Sequence, residues 1–548
     1  MKNIIFFFFA SVFIFQSVQL KSQEYFWLEF IDKNNSGYSF SQPEKFLSER
    51  AIQRRAVQNI AIDSLDLPVN SEYINQVLQL GVSFVHSSKW LNGITVKVEI
   101  DSFETKVFQL PFIKEIQLTK PAQISKSAIN KFYEIQTLDD DLYIDTSFYG
   151  ASVFQVGQLN GQFLHNLDFR GQGMQIAILD GGFLNTNVYP AFDSLWANNQ
   201  ILGTIDFVNP DENIFETSYH GMSMLSCMGG NIPGELIGTS PKASYWLMRT
   251  EDTNSEYLIE EDNWVAAAEY ADSAGIDVIN SSLGYYLFDD KNMDHSYVDM
   301  DGKTTRVTKG ANIAASRGIL VFASAGNEGN DPWKYIIAPS DGDSVLGIGA
   351  VNKDGAPAYF TSFGPASDGD IKPNVSAIGW NTFLQKSDGS LGYSSGTSFS
   401  SPVMAGMAAC LWQANPQSTA FQVRHAIEQS AHLFLNPDSL LGFGIPDMKL
   451  ANQILQTSLV KQWENQNNWL VYPNPLQDYL VLQKAGVQIQ GKIEIAFYTA
   501  DGRLVRKEQK DDAFKIILRN LQSLPTGLLI LKISSENSSE TLKLNKSR

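Results

Sequence analysis

The chain has little of what marks disulfide-rich or nucleic-acid-binding proteins. Its 548 residues include only two cysteines, Cys227 and Cys410, too few for a disulfide framework. We expect both to be small buried apolar side chains, with a mutual disulfide as the alternative. The 41 Lys and Arg residues are outnumbered by 59 Asp and Glu residues, giving a net charge of −18. This acidic balance argues against a nucleic-acid partner.

Long hydrophobic runs are also nearly absent. The one such run, residues 4–15, follows Lys2 and is too short to cross a bilayer. Its order of charge, apolar run and polar residues predicts a signal peptide over residues 1–22, cleaved near Ser22. We therefore expect an exported chain without a membrane span. The length allows roughly three or four domains.

The first region after this segment, residues 23–120, mixes short strands with amphipathic helices. We expect strands at 26–30 and 90–98 and helices at 43–58 and 71–80. This pattern predicts a small α+β domain. The polar stretch 121–148 that follows is interpreted as a linker.

The sequence pattern changes over residues 149–455, where continuous apolar segments predicted as strands alternate with predicted helices. This alternation predicts an α/β domain with a mainly parallel sheet covered by helices on both faces. Its functional side chains are then expected beyond the carboxyl ends of the strands. The predicted strands are 175–179, 245–248, 276–279, 319–322 and 345–351, and the predicted helices include 256–274 and 308–316.

The last region returns to short alternating strands. After a second predicted linker, 456–468, residues 469–548 show period-2 segments separated by tight turns. This pattern predicts an antiparallel β-sandwich.

One serine lies where a turn enters a helix. Ser398 follows Gly396, and the uncharged apolar residues 403–412 predict a buried helix. Pro402 is expected in its first turn, where a missing N–H has no cost. Unpaired N–H groups and the helix dipole at such a position favour developing negative charge. An ordinary N-cap serine is the alternative.

Three further polar residues occupy equivalent junctions. Asp180 follows the strand 175–179, His220 begins a mostly apolar helix, and Asn327 follows a buried strand ending near Ser324. Taken alone, each has a structural explanation: Asp180 as a helix cap or turn residue, His220 as a structural histidine and Asn327 as a turn residue. Together with Ser398 they supply the orienting acid, base, oxyanion donor and nucleophile that acyl transfer requires.

The motifs around these residues resemble those of the subtilisin family of serine peptidases over about residues 149–455. They are Asp180-Gly181-Gly182, His220-Gly221, Ser324-Ala325-Gly326-Asn327-Glu328-Gly329 and Gly396-Thr397-Ser398-Phe399-Ser400-Ser401-Pro402. The resemblance implies that Ser398 is the nucleophile, His220 the general base and then acid, and Asp180 the group that fixes the imidazole. It further implies an oxyanion hole formed by the Asn327 amide and the Ser398 N–H.

The resemblance also implies a substrate-binding strand at Ser282, Leu283 and Gly284, whose backbone would pair with an extended peptide. It implies a cis peptide bond between Ala338 and Pro339.

Two positions depart from the family pattern, with Met222 in place of the usual threonine and Ser223 in place of a second histidine. Neither side chain transfers protons, so we expect them to affect local packing only. No cofactor is expected to be required, and no family calcium loop is recognisable. The acids of residues 289–301 favour a solvated acidic hairpin over a calcium loop, so structural calcium stays possible but unassigned.

The flanking regions carry weaker resemblances. Residues 23–120 resemble the propeptides of exported subtilisins, with an independent binding domain as the alternative. Residues 469–548 resemble the sorting domain of bacterial type IX secretion, through motifs such as Tyr472-Pro473-Asn474-Pro475. A carbohydrate-binding or adhesive sandwich is disfavoured because no row of aromatic residues is present.

The combined prediction is a secreted or cell-surface serine endopeptidase made as a precursor and exported through the periplasm. Its partners would be protein or peptide substrates and the type IX secretion machinery. The alternative is a non-catalytic surface protein that binds peptides on a peptidase fold.

Overall fold

Separate hydrophobic cores divide the computed structural model into an N-terminal, a middle and a C-terminal unit. The structure describes residues 23–122, 131–132, 148–462, 469–472, 474–476, 478–484, 491–511, 513, 515–535 and 539–546. The predicted signal peptide, most of the first predicted linker and residues 463–468 of the second lie outside these ranges.

The N-terminal unit is an antiparallel sheet of four strands in the order β2-β3-β1-β4. The predicted α+β character is confirmed, but the single helix expected over 43–58 is two helices. The Oγ of Ser48 accepts the Ala51 N–H and starts a new helix there, after a short 3-10 turn at Pro43–Lys45. The elements are β1 Glu24–Phe30, α1 Glu49–Val57, α2 Ser71–Leu78, β2 Ser83–Ser88, β3 Gly93–Val98, α3 Phe103–Val107 and β4 Ile113–Lys120.

The middle unit contains a parallel sheet of seven strands, which confirms the predicted fold class. Its elements are α4 Val153–Gly157, α5 Gln162–Asn166, β5 Gln175–Asp180, α6 Asp193–Ala197, β6 Ile201–Asp206, α7 His220–Gly229, β7 Asn231–Ile232, β8 Leu236–Ile237, β9 Ser244–Arg249, α8 Ile259–Ala274, β10 Val278–Ser281, α9 Arg306–Ser316, β11 Leu320–Ser324, β12 Leu346–Val351, β13 Val375–Ile378, β14 Thr382–Gln385, β15 Leu391–Ser394, α10 Thr397–Ala414, α11 Ala420–Ser430 and α12 Met448–Gln462.

The strand order of this sheet is β13-β12-β11-β10-β5-β9-β6. Side chains of its strands enter two separate cores, one shared with α7 and α10 and the other with α8 and α9. The strands are therefore buried on both faces, as their continuous apolar sequences require. The edge strands β6 and β13 were not predicted, because β6 is only half buried and β13 has four residues.

The helix α10 is buried almost throughout, as predicted, and both cysteines are buried and free. At the end of the unit, α12 continues to Gln462, so part of the second predicted linker is helical.

The C-terminal unit has two antiparallel sheets, of three and four strands, that share one apolar core. The predicted sandwich architecture is confirmed. Its strands are β16 Trp469–Tyr472, β17 Leu480–Lys484, β18 Lys492–Thr499, β19 Leu504–Asp511, β20 Lys515–Leu518, β21 Gly527–Ser534 and β22 Ser539–Lys546. Within the described ranges, none of the helices has the length and apolar character needed to cross a membrane.

The N-terminal unit packs on α8 through buried ion pairs. Asp272 of α8 is fully buried and lies 2.6 Å from Arg54, 2.7 Å from Arg55 and 2.8 Å from Lys89. Burial by itself would raise the pKa of Asp272, but the cations of Lys89, Arg55 and Arg54 outweigh it and hold this pKa far below its ordinary value. These contacts place Asp272 at the centre of one cluster of ion pairs between the two units, and further pairs such as Arg50–Asp277 and Arg317–Asp63 join them elsewhere.

Candidate active site

Three of the predicted site residues lie at or just beyond the carboxyl ends of three neighbouring strands. In the sheet β10 lies between β11 and β5. Asp180 is the last residue of β5, Ser282 directly follows β10, and Asn327 lies three residues beyond the end of β11. The parallel order of the sheet therefore brings these distant segments to one edge, as expected for an α/β fold.

Asp180 and His220 form a direct contact. The Nδ1 atom of His220 lies 2.9 Å from both carboxylate oxygens of Asp180, and both side chains are buried. The N–H of Gly181 also donates to Asp180 Oδ1 at 2.7 Å. With two donors on its oxygens, the carboxylate is held in place and orients the imidazole, leaving Nε2 for chemistry.

Glycine at position 221 allows this approach. A Cβ there would lie 2.5 Å from the carbonyl oxygen of Gly182 and 2.9 Å from the Cβ of Asp180. Any larger residue would push the start of α7 away from the end of β5. The His-Gly pair of the sequence motif is thus a packing requirement of the Asp180–His220 contact.

Ser398 is the second residue of α10 and is partly exposed to the cleft. Its hydroxyl donates to the carbonyl oxygen of Ser282 at 3.4 Å, and its own carbonyl oxygen accepts the Ser282 hydroxyl at 2.8 Å. Among the described residues, no hydrogen bond joins the Ser398 hydroxyl to His220. Such catalytic contacts are often loose before substrate binds.

The prediction that Pro402 lies in the first turn of this helix is wrong. Because α10 already begins at Thr397, Pro402 lies inside the helix. Proline has no N–H to donate to the carbonyl four residues earlier, which is that of Ser398. The hydroxyl of Ser282 donates to that carbonyl instead. The proline therefore ties Ser398 to the segment that follows β10.

Asn327 is held by a residue that the sequence interpretation missed. Its Oδ1 accepts the backbone N–H of Thr397 at 2.8 Å and the Thr397 hydroxyl at 3.1 Å. The same hydroxyl accepts the N–H of Gly326 at 3.2 Å. These two donors engage Oδ1, so Nδ2 is the remaining polar group of this cleft-lining side chain. Thr397 directly precedes Ser398 in the motif, and this position was the only sequence feature that could have indicated its contact with Asn327.

The predicted substrate-binding segment, Ser282, Leu283 and Gly284, lines a cavity of about 360 Å³ together with Asn327 and Ser398. Just beyond it, the N–H of Tyr285 donates to the carbonyl oxygen of Ala338 at 2.9 Å. The Ala338–Pro339 peptide bond is cis, as expected.

The two departures from the family pattern have packing functions. Met222 is completely buried in the core beside α10. The hydroxyl of Ser223 donates to the carbonyl oxygen of Gln385 at 3.0 Å. Met222 therefore fills core space, and Ser223 satisfies a backbone carbonyl of β14.

The acids of residues 289–301 bind their own backbone. Asp290 accepts the Asn292 N–H, Asp299 accepts the Ser296 N–H and hydroxyl, and Asp301 accepts the N–H groups of two following residues. These are turn and cap interactions, which short acidic side chains form readily.

A different acidic cluster, which was not predicted, lies beside the cleft. Carboxylate oxygens of Glu251, Glu256 and Glu260 lie within 4.8 Å of one another, and all three residues are buried. Burial raises the pKa of Glu256 to about 7, although the neighbouring Lys131 cation lowers it in part. Three acids so close together require a cation or protons between them.

That cation is supplied by residues predicted to lie in a polar linker. The Nζ of Lys131 lies 2.5 Å from Glu260, 2.9 Å from Glu256 and 3.5 Å from Glu251. The next residue, Phe132, stacks on the imidazole of His220 with ring centroids 4.3 Å apart. This pair of residues therefore occupies the cleft and covers the Asp180–His220 contact.

Comparison with known families divides the chain into the same three regions. Residues 171–444 match the subtilase family, residues 25–133 match the peptidase S8 propeptide domain of Bacteroidota, and residues 470–547 match a secretion system C-terminal sorting domain. The propeptide match extends beyond residue 120 and includes Lys131 and Phe132. The sorting domain indicates type IX secretion to the cell surface or beyond.

Several curated proteins are similar to more than half of this chain. Subtilisin amylosacchariticus of Bacillus subtilis subsp. amylosacchariticus is 28% identical over 310 residues, which make up 56% of this chain and 72% of the relative. Subtilisin of Bacillus pumilus is 27% identical over 304 residues, 55% of this chain and 98% of the relative. Serine protease AprX of Bacillus subtilis (strain 168) is 27% identical over 352 residues, 59% of this chain and 72% of the relative.

Proposed function

Because the chain belongs to the subtilase family and is a subtilisin-type serine peptidase, we propose that it cleaves peptide bonds through Ser398, His220 and Asp180. The observation that carries the proposal is the pair of 2.9 Å contacts from the carboxylate of Asp180 to Nδ1 of His220. They leave Nε2 of the imidazole for proton transfer, and Ser398 and Asn327 line the same cavity.

In the proposed reaction the Oγ of Ser398 attacks the scissile carbonyl carbon while Nε2 of His220 takes its proton. The tetrahedral intermediate collapses when His220 gives this proton to the leaving amine, and an acyl-enzyme remains on Ser398. Water then attacks the ester, and the same proton transfers release the acid product. Asp180 keeps the imidazole in the tautomer that accepts at Nε2 and stabilises the imidazolium.

The negative charge of the intermediate would be held by two donors, the Nδ2 group of Asn327 and the N–H of Ser398. The contacts of Thr397 on Oδ1 of Asn327 support this assignment, because they hold the amide before substrate arrives. A donor that is already in place costs no reorganisation when the charge forms. Ser282, Leu283 and Gly284 would pair with the extended substrate backbone.

The enzyme would be made as a precursor whose N-terminal unit blocks the cleft. The position of Phe132 on the His220 ring supports this function. Removal of the N-terminal unit would expose Ser398, and the sorting domain would direct the precursor across the outer membrane. No cofactor enters the proposed chemistry.

The experiment that tests the catalytic assignment is labelling of the processed protein by a serine-reactive phosphonate. We expect one label per chain, located on Ser398, and no label on the Ser398→Ala variant. Ser390→Ala, which changes an exposed serine in the turn between β14 and β15, is the matched control and should label fully. Absence of label on the folded wild-type protein would favour the non-catalytic peptide-binding alternative.

A further inference from the structure

The glutamate cluster at the edge of the cleft lies outside the proposed proton-transfer groups. Burying the carboxylates of Glu251, Glu256 and Glu260 costs free energy, since buried charges are unfavourable unless they are paired. The ion pairs of the described residues give all three the same cationic partner, Lys131. That partner belongs to the segment that blocks the cleft.

The cluster is held in shape by neighbours that remain when Lys131 leaves. The hydroxyl of Tyr285 donates to Glu251 at 2.6 Å, and the N–H of Asp252 donates to Glu260 at 2.9 Å. Tyr285 directly follows the predicted substrate-binding segment. The pocket is therefore preformed, and it is continuous with the wall along which a substrate would lie.

One acceptor in the cluster is unused even with Lys131 present. The Oε1 atom of Glu256 is buried and has no hydrogen-bond partner within the described part of the chain. An ammonium group has three donors, whereas a guanidinium has five. The cluster thus offers more acceptor positions than the lysine of the blocking segment satisfies.

Phe132, the residue after Lys131, shows how close the glutamate cluster lies to His220. Phe132 lies on the ring of His220, and its ring would also meet a Cβ at Gly181 within 2.6 Å. Lys131 is one residue away along the chain. A side chain entering the cluster therefore belongs to a residue within a few positions of the scissile bond.

We propose that Glu251, Glu256 and Glu260 form a subsite for a basic side chain, so that the enzyme prefers peptides with lysine or arginine shortly before the scissile bond. The inference rests on the proposed function, because it requires that Ser398 cleaves what the cleft binds. Lys131 fills this subsite in the precursor and stands for the substrate side chain. Other acids lining the same cavity, Glu328 and Asp331, add to the attraction for a cation.

The test uses the processed wild-type enzyme and fluorogenic tetrapeptides in which each position in turn carries lysine, arginine or norleucine. Norleucine keeps the aliphatic stem of lysine and removes the ammonium group. At one position we expect kcat/KM to be at least about tenfold higher for lysine and arginine than for norleucine, the size of a charge-assisted hydrogen bond. Ratios within about twofold at all four positions would overturn the proposal.

Variants locate the preference in the cluster. Glu256→Gln and Glu260→Gln should each lower the lysine-to-norleucine ratio by about fivefold or more. Asp354→Asn, which changes an exposed acid that does not line the cavity, should leave the ratio and the rate unchanged. An unchanged ratio in both glutamine variants would assign the preference to another part of the cleft and overturn the proposal.

Two further comparisons separate a basic subsite from a divalent-cation site and from failure of the proposed function. All rates are measured with calcium and with EDTA, because three clustered carboxylates are also a candidate cation site. A preference for lysine that appears only in EDTA would assign the cluster to a divalent cation and overturn the proposal. If no peptide is hydrolysed and the phosphonate does not label Ser398, the proposed function fails; labelling and hydrolysis without a basic preference overturn this inference alone.

Discussion

Thr397 offers a direct measure of how much the oxyanion hole depends on a residue that does not touch substrate. In Thr397→Val the side chain keeps its shape and loses its hydroxyl. The amide oxygen of Asn327 then retains the Thr397 N–H at 2.8 Å but loses the hydroxyl at 3.1 Å. One neutral hydrogen bond contributes about 0.5–1.5 kcal/mol. If this is lost from the transition state, kcat falls by about 2- to 13-fold.

The same substitution leaves the N–H of Gly326 without its acceptor. A buried unsatisfied donor costs about 1–3 kcal/mol, so the free energy of unfolding should fall by a similar amount. Activity is therefore measured as kcat well below the unfolding temperature, with saturating peptide. Thr397→Ser, which keeps the hydroxyl, should retain most of the wild-type rate.

A double-mutant cycle with Asn327→Leu separates positioning from general damage. If the Thr397 hydroxyl acts only through the Asn327 amide, Thr397→Val should have almost no effect on kcat when the amide is already gone. An equal loss in both backgrounds would refute the idea that Thr397 positions Asn327. An unchanged kcat in the single variant would refute it as well.

Three other outcomes are expected. Asn327→Ala should lower kcat by about 10²–10³, the loss known for the oxyanion-hole asparagine of subtilisin, and an unchanged kcat would exclude the amide from the oxyanion hole. Ser398→Ala should leave the precursor uncleaved on a gel if processing is autocatalytic, whereas normal trimming would implicate another protease. His165 is a buried residue of α5, and burial lowers its pKa from 6.5 to about 4. The folded state therefore disfavours its protonation, and the free energy of unfolding should fall by roughly 3 kcal/mol as the pH is lowered from above 6.5 towards 4. Denaturant unfolding of the Ser398→Ala precursor measures this loss, and a similar slope in His165→Gln would contradict it.

Prediction from the sequence was most accurate where a local residue pattern is compatible with only one kind of element. The apolar stretch before Asp180 has no polar face, so it forms a strand buried on both sides of a parallel sheet. The uncharged residues after Ser398 form a helix that is buried all round for the same reason. Short or half-exposed strands such as β6 and β13 lack a distinctive pattern, and they were missed.

Helix starts were less predictable, because they depend on single capping groups. Ser48 divides one predicted helix into two by accepting the Ala51 N–H. Thr397 begins α10 earlier than expected, which moves Pro402 inside the helix and makes the Ser282 hydroxyl the partner of the Ser398 carbonyl. These outcomes follow from hydrogen-bond accounting that becomes possible only when the partners are known.

By itself the sequence determined which side chains are chemically able to act and on which strand ends and helix starts they lie. Strand burial and motif spacing are local properties of the chain, so Asp180, His220, Asn327 and Ser398 could be proposed as site residues without a structure. Only the tertiary structure showed which other side chains lie beside these four residues. Lys131 is remote in sequence from Glu251, Glu256 and Glu260, and its position in a predicted linker gave no indication of this contact. Tertiary packing brings these charges together. An ion pair between distant segments has no signature in either segment alone.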